Sequence, residues 1–398
     1  MTATVAAKSR VPGAARFAVV VVVLALLVFL VLPAAMSPFR LGLLAKYLCY
    51  AIVGVGIALA WGRGGMLTLG QGVFFGIGGY AMGMYLKLAD VGPGHVPDFM
   101  SWSGVETLPG LWKPFANAGF ALVAAVVLPM LLATFIGVLV FRQRVRGAYF
   151  AILSQALAAA FVILLVGQQG MTGGTNGLTN FRTLFGHDLG AERTQRSLFF
   201  AAAIVLGVVY LLARHLAASR FGRLLVAVRD AEDRVRFLGY NPTTVKTVTF
   251  AVSAGMAGLA GALFVPIVGI ISPALLGVVP SIELIIGVAV GGRASILGAA
   301  IGSVLVAYAK TTFSEKFPSG WLYLQGAMFV LVMMFAPKGI AGLLASWRSG
   351  GLSWLPSRIR PAAPDPRASD GGAGDAPAST APASTVPAST DSVEEVAR

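Results

Sequence analysis

Long runs without a charged side chain decide what this sequence can fold into. Thr247–Ile282 is one such run, and it exceeds the ~20 apolar residues that an α-helix needs to cross the ~30 Å hydrocarbon core of a bilayer. Others cover Phe17–Met36, Met66–Leu86, Ala118–Phe141, Ala148–Gln169, Ser197–Ala213, Ala294–Ala309 and Gly320–Ala336, and Leu41–Trp61 is interrupted only by Lys46. Only 12% of the residues are charged and 57% are hydrophobic, against about 25% charged in a soluble globular domain. Water leaves that much apolar surface nowhere to hide, whereas lipid solvates it. The expected fold is an all-α polytopic membrane protein of about ten transmembrane helices.

The run Thr247–Ile282 is too long for one span, and Pro266, Pro273 and Pro280 are expected to break it, because proline removes a helix hydrogen bond. This places a seventh span near Thr247–Ile271 and a short eighth near Leu276–Gly292, with the eighth and ninth open to a re-entrant path. Phe17–Met36 is longer than the apolar region of a signal peptide and reads as the first span. Charge fixes the expected orientation. Arg142, Arg144 and Arg146 form one basic turn, and Arg214, Arg220, Arg223, Arg229, Arg234, Arg236 and Lys246 mark a larger basic loop. Basic loops stay on the cytoplasmic side, so both termini are expected there. Asp90, Asp98, Glu106, Asp188, Glu192 and Glu315 fall in loops assigned to the outside. The chain divides into a cytoplasmic segment 1–16, a transmembrane domain 17–349 and a tail 350–398. The tail contains an APAST-APAST-VPAST repeat, a composition that builds no core and is expected to be disordered.

Enzyme chemistry finds little footing. Cys49 is the single cysteine, and His95, His187 and His215 are scattered without metal-ligand spacing, so no metal site and no catalytic residue is assigned. The formal charge of +14 is spread over short loops between apolar runs and does not form a nucleic-acid face. Gly170–Gly177 reads as a structured turn with exposed amides, but no P-loop lysine follows it.

Four groups of residues stand out. In Ser219–Pro242, Leu224, Val228, Ala231, Val235 and Leu238 recur at helical spacing. Arg229, Asp230, Glu232 and Asp233 occupy the other faces, with Asp230–Arg234 and Glu232–Arg236 set as i,i+4 pairs and Gly239 as the helix end. This is either a surface helix lying along the membrane or a docking helix for a cytoplasmic partner. Gly72 with Gly76, and Gly79 with Gly83, are small-xxx-small pairs that let helices approach closely; Gly258, Gly298 and Gly302 form a second such region. Gln71, Phe74, Phe75 and Tyr80 are candidates for a translocation pathway in the same run. Glu283 is the one acidic residue inside a span, where ionisable groups are costly and often functional; an interfacial, snorkelling position is the alternative.

The stretches WGRGGMLTLGQGVFFGIGGYAMGMYL, RVRGAYFAILSQA, GRLLVAVRDAEDRVRFLGYN, AGMAGLAGAL and IELIIGVAVGGRASILGAAIG, between Lys46 and Gly342, resemble the permease subunits of the branched-chain amino acid class of ABC importers. Within that class, Pro97–Met100, Leu108–Phe115 and Thr172–Phe181 are most similar to the second permease subunit of urea importers. Gln71 stands where histidine is common in the class, and the tail is extra. The resemblance implies a permease of the bacterial inner membrane that carries urea or a short amide, with a branched-chain or other amino acid as the alternative cargo. It implies four kinds of contact: a second homologous permease, two ATPase subunits that bind ATP-Mg, an extracytoplasmic substrate-binding protein, and lipid. No cofactor is expected on this chain itself, and the loop Arg220–Gly239 becomes the coupling element on the ATPase, with Leu224, Val228, Arg229, Asp230, Ala231, Glu232, Asp233 and Gly239 as its contact residues. An ion-coupled secondary transporter is the competing class; it needs inverted repeats and a polar ion site at a broken helix.

Overall fold

The computed structural model describes residues 32–342, apart from 93, 146, 318–319 and 336–338. Most of the expected first span Phe17–Met36, the N-terminal segment 1–16, Arg146 and the tail 350–398 lie outside the described residues. Besides short helical turns, the helices are α1 (Pro38–Ile57, continued by a π-helical turn Ala58–Arg63), α2 (Gln71–Val91), α3 (Ala118–Arg142), α4 (Ala148–Gly167), α5 (Glu192–Ala218), α6 (Arg220–Phe237), α7 (Pro242–Val268), α8 (Val278–Gly291), α9 (Ile296–Lys316) and α10 (Trp321–Phe335). Several begin where a polar side chain precedes an apolar run. Asn117 accepts from the Gly119 and Phe120 amides, Ser219 from Gly222, Asn241 from Thr243, and Ser295 from Gly298, each satisfying a donor that the helix leaves open.

Among the described residues, seven helices are long and apolar enough to cross a bilayer: α1 with its π turn, α3, α4, α5, α7, α8 with its lead-in from Pro273, and α9. Seven among the described residues does not confirm the expected count of about ten, whose first span lies mostly outside them. α10 has only 15 residues. α2 has 21 residues, about 31 Å of helix, but glycine, tyrosine, Gln71 and Lys87 lower its apolar content. It does not face lipid: it packs against α7 and α3 and is buried from Gln71 to Leu86 except at Ile77. A helix clothed by other helices has no need of a continuous apolar surface.

Burial separates the layers. The most apolar windows of α1 and α7 are 78% and 72% buried, against 28% for α4 and α5. The centre therefore consists of α1, α2 and α7, with α4 and α5 at the surface of the bundle. Pro266 does not break α7 as expected: the helix runs through it and ends at Gly269, whose φ of 79° is left-handed. Only Pro273, in a short 3-10 turn, and Pro280, in the first turn of α8, sit at breaks. Ile271 is not helical; the strand Ile270–Ile271 pairs antiparallel with Leu178–Thr179. That pairing packs Gly177 against the Ile271–Ser272 backbone, so Thr172, Gly174 and Gly177 of the glycine turn are buried while Thr175 and Asn176 stay exposed. Glu315, expected in a loop, lies in the last turn of α9.

Candidate coupling surface and translocation core

Helix α6 carries the densest charge in the described chain, and the structure changes its expected geometry. Its backbone leaves the helical region at Ala231 (φ −151°, ψ 66°). The kink undoes the i,i+4 spacing across it, so Asp230 pairs with Arg229 at 2.7 Å and not with Arg234. The Arg229 guanidinium holds the Asp230 carboxyl below its ordinary range. Glu232–Arg236 forms at 3.4 Å, but the shorter partner of Glu232 is Lys246 of α7, at 2.6 Å with both side chains about nine-tenths buried. Before the kink, Arg229 donates from Nη1 to the Gly62 carbonyl at 2.8 Å. One half of α6 is thus tied to the π-helical end of α1 and the other to α7. A cavity of about 690 Å³ lies between them, lined by Gly64, Met66, Phe150, Asp233 and Lys246 among others.

The apolar stripe does not face outward as a docking helix would require. Val228 and Val235 are buried with Leu225 and Val245 in a small core, and Leu224 packs against it. Ala231 sits half-buried at the kink, and only Leu238 is exposed. The outward apolar surface is the end of the helix: Phe237 is 91% exposed, Leu238 75% and Tyr240 55%, around Gly239 at φ 85°. Spacing alone misses Phe237 and Tyr240; two aromatics flanking a glycine in a basic loop were the available signal.

The candidate pathway residues fall into three surroundings. Phe74 meets Phe250 edge-on at 5.3 Å, and Phe75 meets Phe264 at 5.1 Å, so both are core packing in this conformation. Tyr80 is buried, and its hydroxyl has no partner among the described residues. Gln71 is wholly buried and donates from Nε2 to Ser253 Oγ at 3.0 Å. Glu283 belongs to neither group: it forms a 2.5 Å ion pair with Lys310 of α9, which neutralises it without an ion from outside.

The glycines are contact points between elements. Gly72 and Gly76 meet Leu276, Gly79 meets Ile271 and Val265, and Gly83 meets Leu178. At Gly78 an added Cβ would lie 1.9 Å from the Gly258 carbonyl, and Gly258 in turn abuts Ala125 and Pro129 of α3. Gly298 and Gly302 face Gly291 and Gly287 of α8. Sequence spacing found one side of each contact and missed Gly78, Gly287 and Gly291, because their partners are remote in the chain.

Buried, glycine-packed helices long enough to cross a bilayer, with an amphipathic helix clamped across one end, describe a multi-pass membrane protein. Over residues 39–336 the chain matches the family described as branched-chain amino acid transport system / permease component, and it belongs to that family. It is 28% identical over 313 residues to the high-affinity branched-chain amino acid transport system permease protein LivM of Salmonella typhimurium, covering 73% of this chain and 67% of that one. It is 26% identical over 303 residues to LivH of Escherichia coli, named as a permease of the same kind, covering 74% and 91%. A LivM protein of Methanocaldococcus jannaschii, named as a probable branched-chain amino acid permease, is 23% identical over 315 residues, covering 73% and 90%. No solved structure matches. These names support the amino-acid alternative better than the urea expectation.

Proposed function

We propose that this chain is a permease subunit of an ATP-driven importer for branched-chain amino acids. It sits in the inner membrane with both termini in the cytoplasm, and α6 is its coupling element. The family match over residues 39–336 supports the permease reading, and the coupling role is carried by the double attachment of α6, through Arg229 to the Gly62 carbonyl and through Glu232 to Lys246. A helix attached at both halves and kinked between them moves two membrane elements whenever its exposed end is displaced. Phe237, Leu238 and Tyr240 supply that end as an apolar knob for a groove on an ATPase subunit.

ATP-Mg bound by two ATPase subunits supplies the energy, a second homologous permease completes the pathway, and an extracytoplasmic binding protein delivers cargo. ATPase closure favours one access state only if α6 contacts the two ATPase states differently. The paired Glu283 weighs against an ion-coupled carrier, whose coupling site leaves polar groups open to the ion. Urea rests on the likeness at Pro97–Met100, Leu108–Phe115 and Thr172–Phe181 alone. The importer reconstituted with its binding protein should accumulate leucine on ATP addition and leave urea at background. ATP-dependent urea uptake without leucine uptake would reverse the cargo, and equal uptake without ATP would remove the importer reading.

A further inference from the structure

The start of α2 lies inside the helix bundle. Gln71, its first residue, bonds Ser253, which lies about 16 Å along α7 from that helix's beginning. The preceding Gly64–Gly70 connection is not helical, yet Gly64, Met66, Thr68 and Gly70 are buried. Irregular backbone at membrane depth persists only where protein satisfies it or where it lines a polar cavity. Three helices contribute hydroxyls here. Ser154 of α4 accepts from the Leu69 amide at 2.8 Å, Ser281 of α8 accepts from the Gly72 amide at 3.1 Å, and Ser253 of α7 holds the Gln71 Nε2.

At this helix start two buried polar atoms have no partner among the described residues, Thr68 Oγ1 and Gln71 Oε1, on side chains that are 0% exposed. The helix cap adds nothing, because its position is Gly70, where a Cβ would strike the Ser154 carbonyl at 2.2 Å. The Gly72 amide is taken by Ser281 and the Val73 amide by the Gly70 carbonyl, so what this helix start offers is its positive dipole end beside an unused hydroxyl, which can donate, and an unused amide oxygen, which accepts.

We propose that this helix start is a transient binding site for the charged head of an amino acid in transit. The α2 start and the Thr68 hydroxyl take the carboxylate, and Gln71 Oε1 takes the ammonium. Phe75, one turn further along the same face of α2, offers an apolar wall for the side chain. None of these groups carries a formal charge, so the site orders a zwitterion without trapping it, as a conduit requires. Both side chains are wholly buried, so the site is reached only when the bundle rearranges. The proposal rests on the amino-acid reading above.

The test uses the complete importer in proteoliposomes and reads leucine imported per ATP hydrolysed, together with the ATPase rate stimulated by loaded binding protein. Thr68→Val keeps the shape and removes the hydroxyl. Gln71→Glu sets a carboxylate beside the helix start, where it competes with that of the cargo. Both should lower leucine per ATP by about tenfold or more, the equivalent of ~1.4 kcal/mol, with the stimulated ATPase rate retained, and Thr68→Ser should restore transport. Wild-type leucine per ATP in Thr68→Val and Gln71→Glu overturns the site while leaving the importer reading intact. Parallel loss of assembly and ATPase, unrescued by Thr68→Ser, assigns the two residues to packing and also overturns it. A wild-type importer that moves no leucine overturns the cargo reading and the site together.

Discussion

Replacing Lys246 with methionine would isolate how α6 is tied to the membrane domain. The Lys246–Glu232 pair is 2.6 Å long with 10% and 9% of the side chains exposed. Removing one partner of a fully buried pair costs about 3–5 kcal/mol, and breaking an exposed one about 0.2–1 kcal/mol. Glu232 keeps Arg236 at 3.4 Å, which offsets part of the loss, while Lys246 also gives up a position over the Phe141 ring at 5.9 Å. A cost near ~2 kcal/mol follows, shifting the equilibrium between seated and unseated α6 by roughly 30-fold. Lys246→Met should then insert and assemble, hydrolyse ATP, and import markedly less cargo per ATP than wild type. The double variant Glu232→Gln/Lys246→Met removes both charges, which is often nearly neutral, and should recover most of the coupling. Uptake and hydrolysis measured in the same proteoliposomes for all four corners of the cycle provide the check. Wild-type coupling in Lys246→Met, or a double variant that loses as much as the two single ones added together, would refute the clamp.

Replacing Phe237 or Leu238 with aspartate should release the ATPases on purification while membrane levels stay normal; retained ATPases would place docking elsewhere. Gly258→Val forces a side chain into the Ala125 carbonyl, already 2.2 Å from an ideal Cβ, and overpacking of about 1–3 kcal/mol or more should lower the folded yield in detergent thermal denaturation. Reporter fusions after Arg146 and Lys246 should read cytoplasmic and one after Gly190 periplasmic, and the reverse pattern would invert the topology. Truncation from Gly350 should leave uptake unchanged, and a loss at normal membrane level would make the tail a working contact.

The sequence alone determined the membrane class, because hydropathy is a property of the solvent a segment needs, and that reads locally. Charge-free runs also placed the starts of α3 and α4 at Ala118 and Ala148, because there a charged or polar loop meets the apolar run directly. The same local logic misjudged α6. A stripe at helical spacing says that one face is apolar, not whether that face meets a partner or the rest of its own chain; Leu225 and Val245 decided that Val228 and Val235 turn inward. Pro266 was legible as a breaker but not as one that a buried helix tolerates. The clamp between Glu232 and Lys246, the pairing of Glu283 with Lys310, and the meeting of Gly78 with Gly258 join residues far apart in the chain. Only the tertiary structure decided them, because an ion pair or a backbone contact depends on distance in space, which spacing along a sequence does not encode.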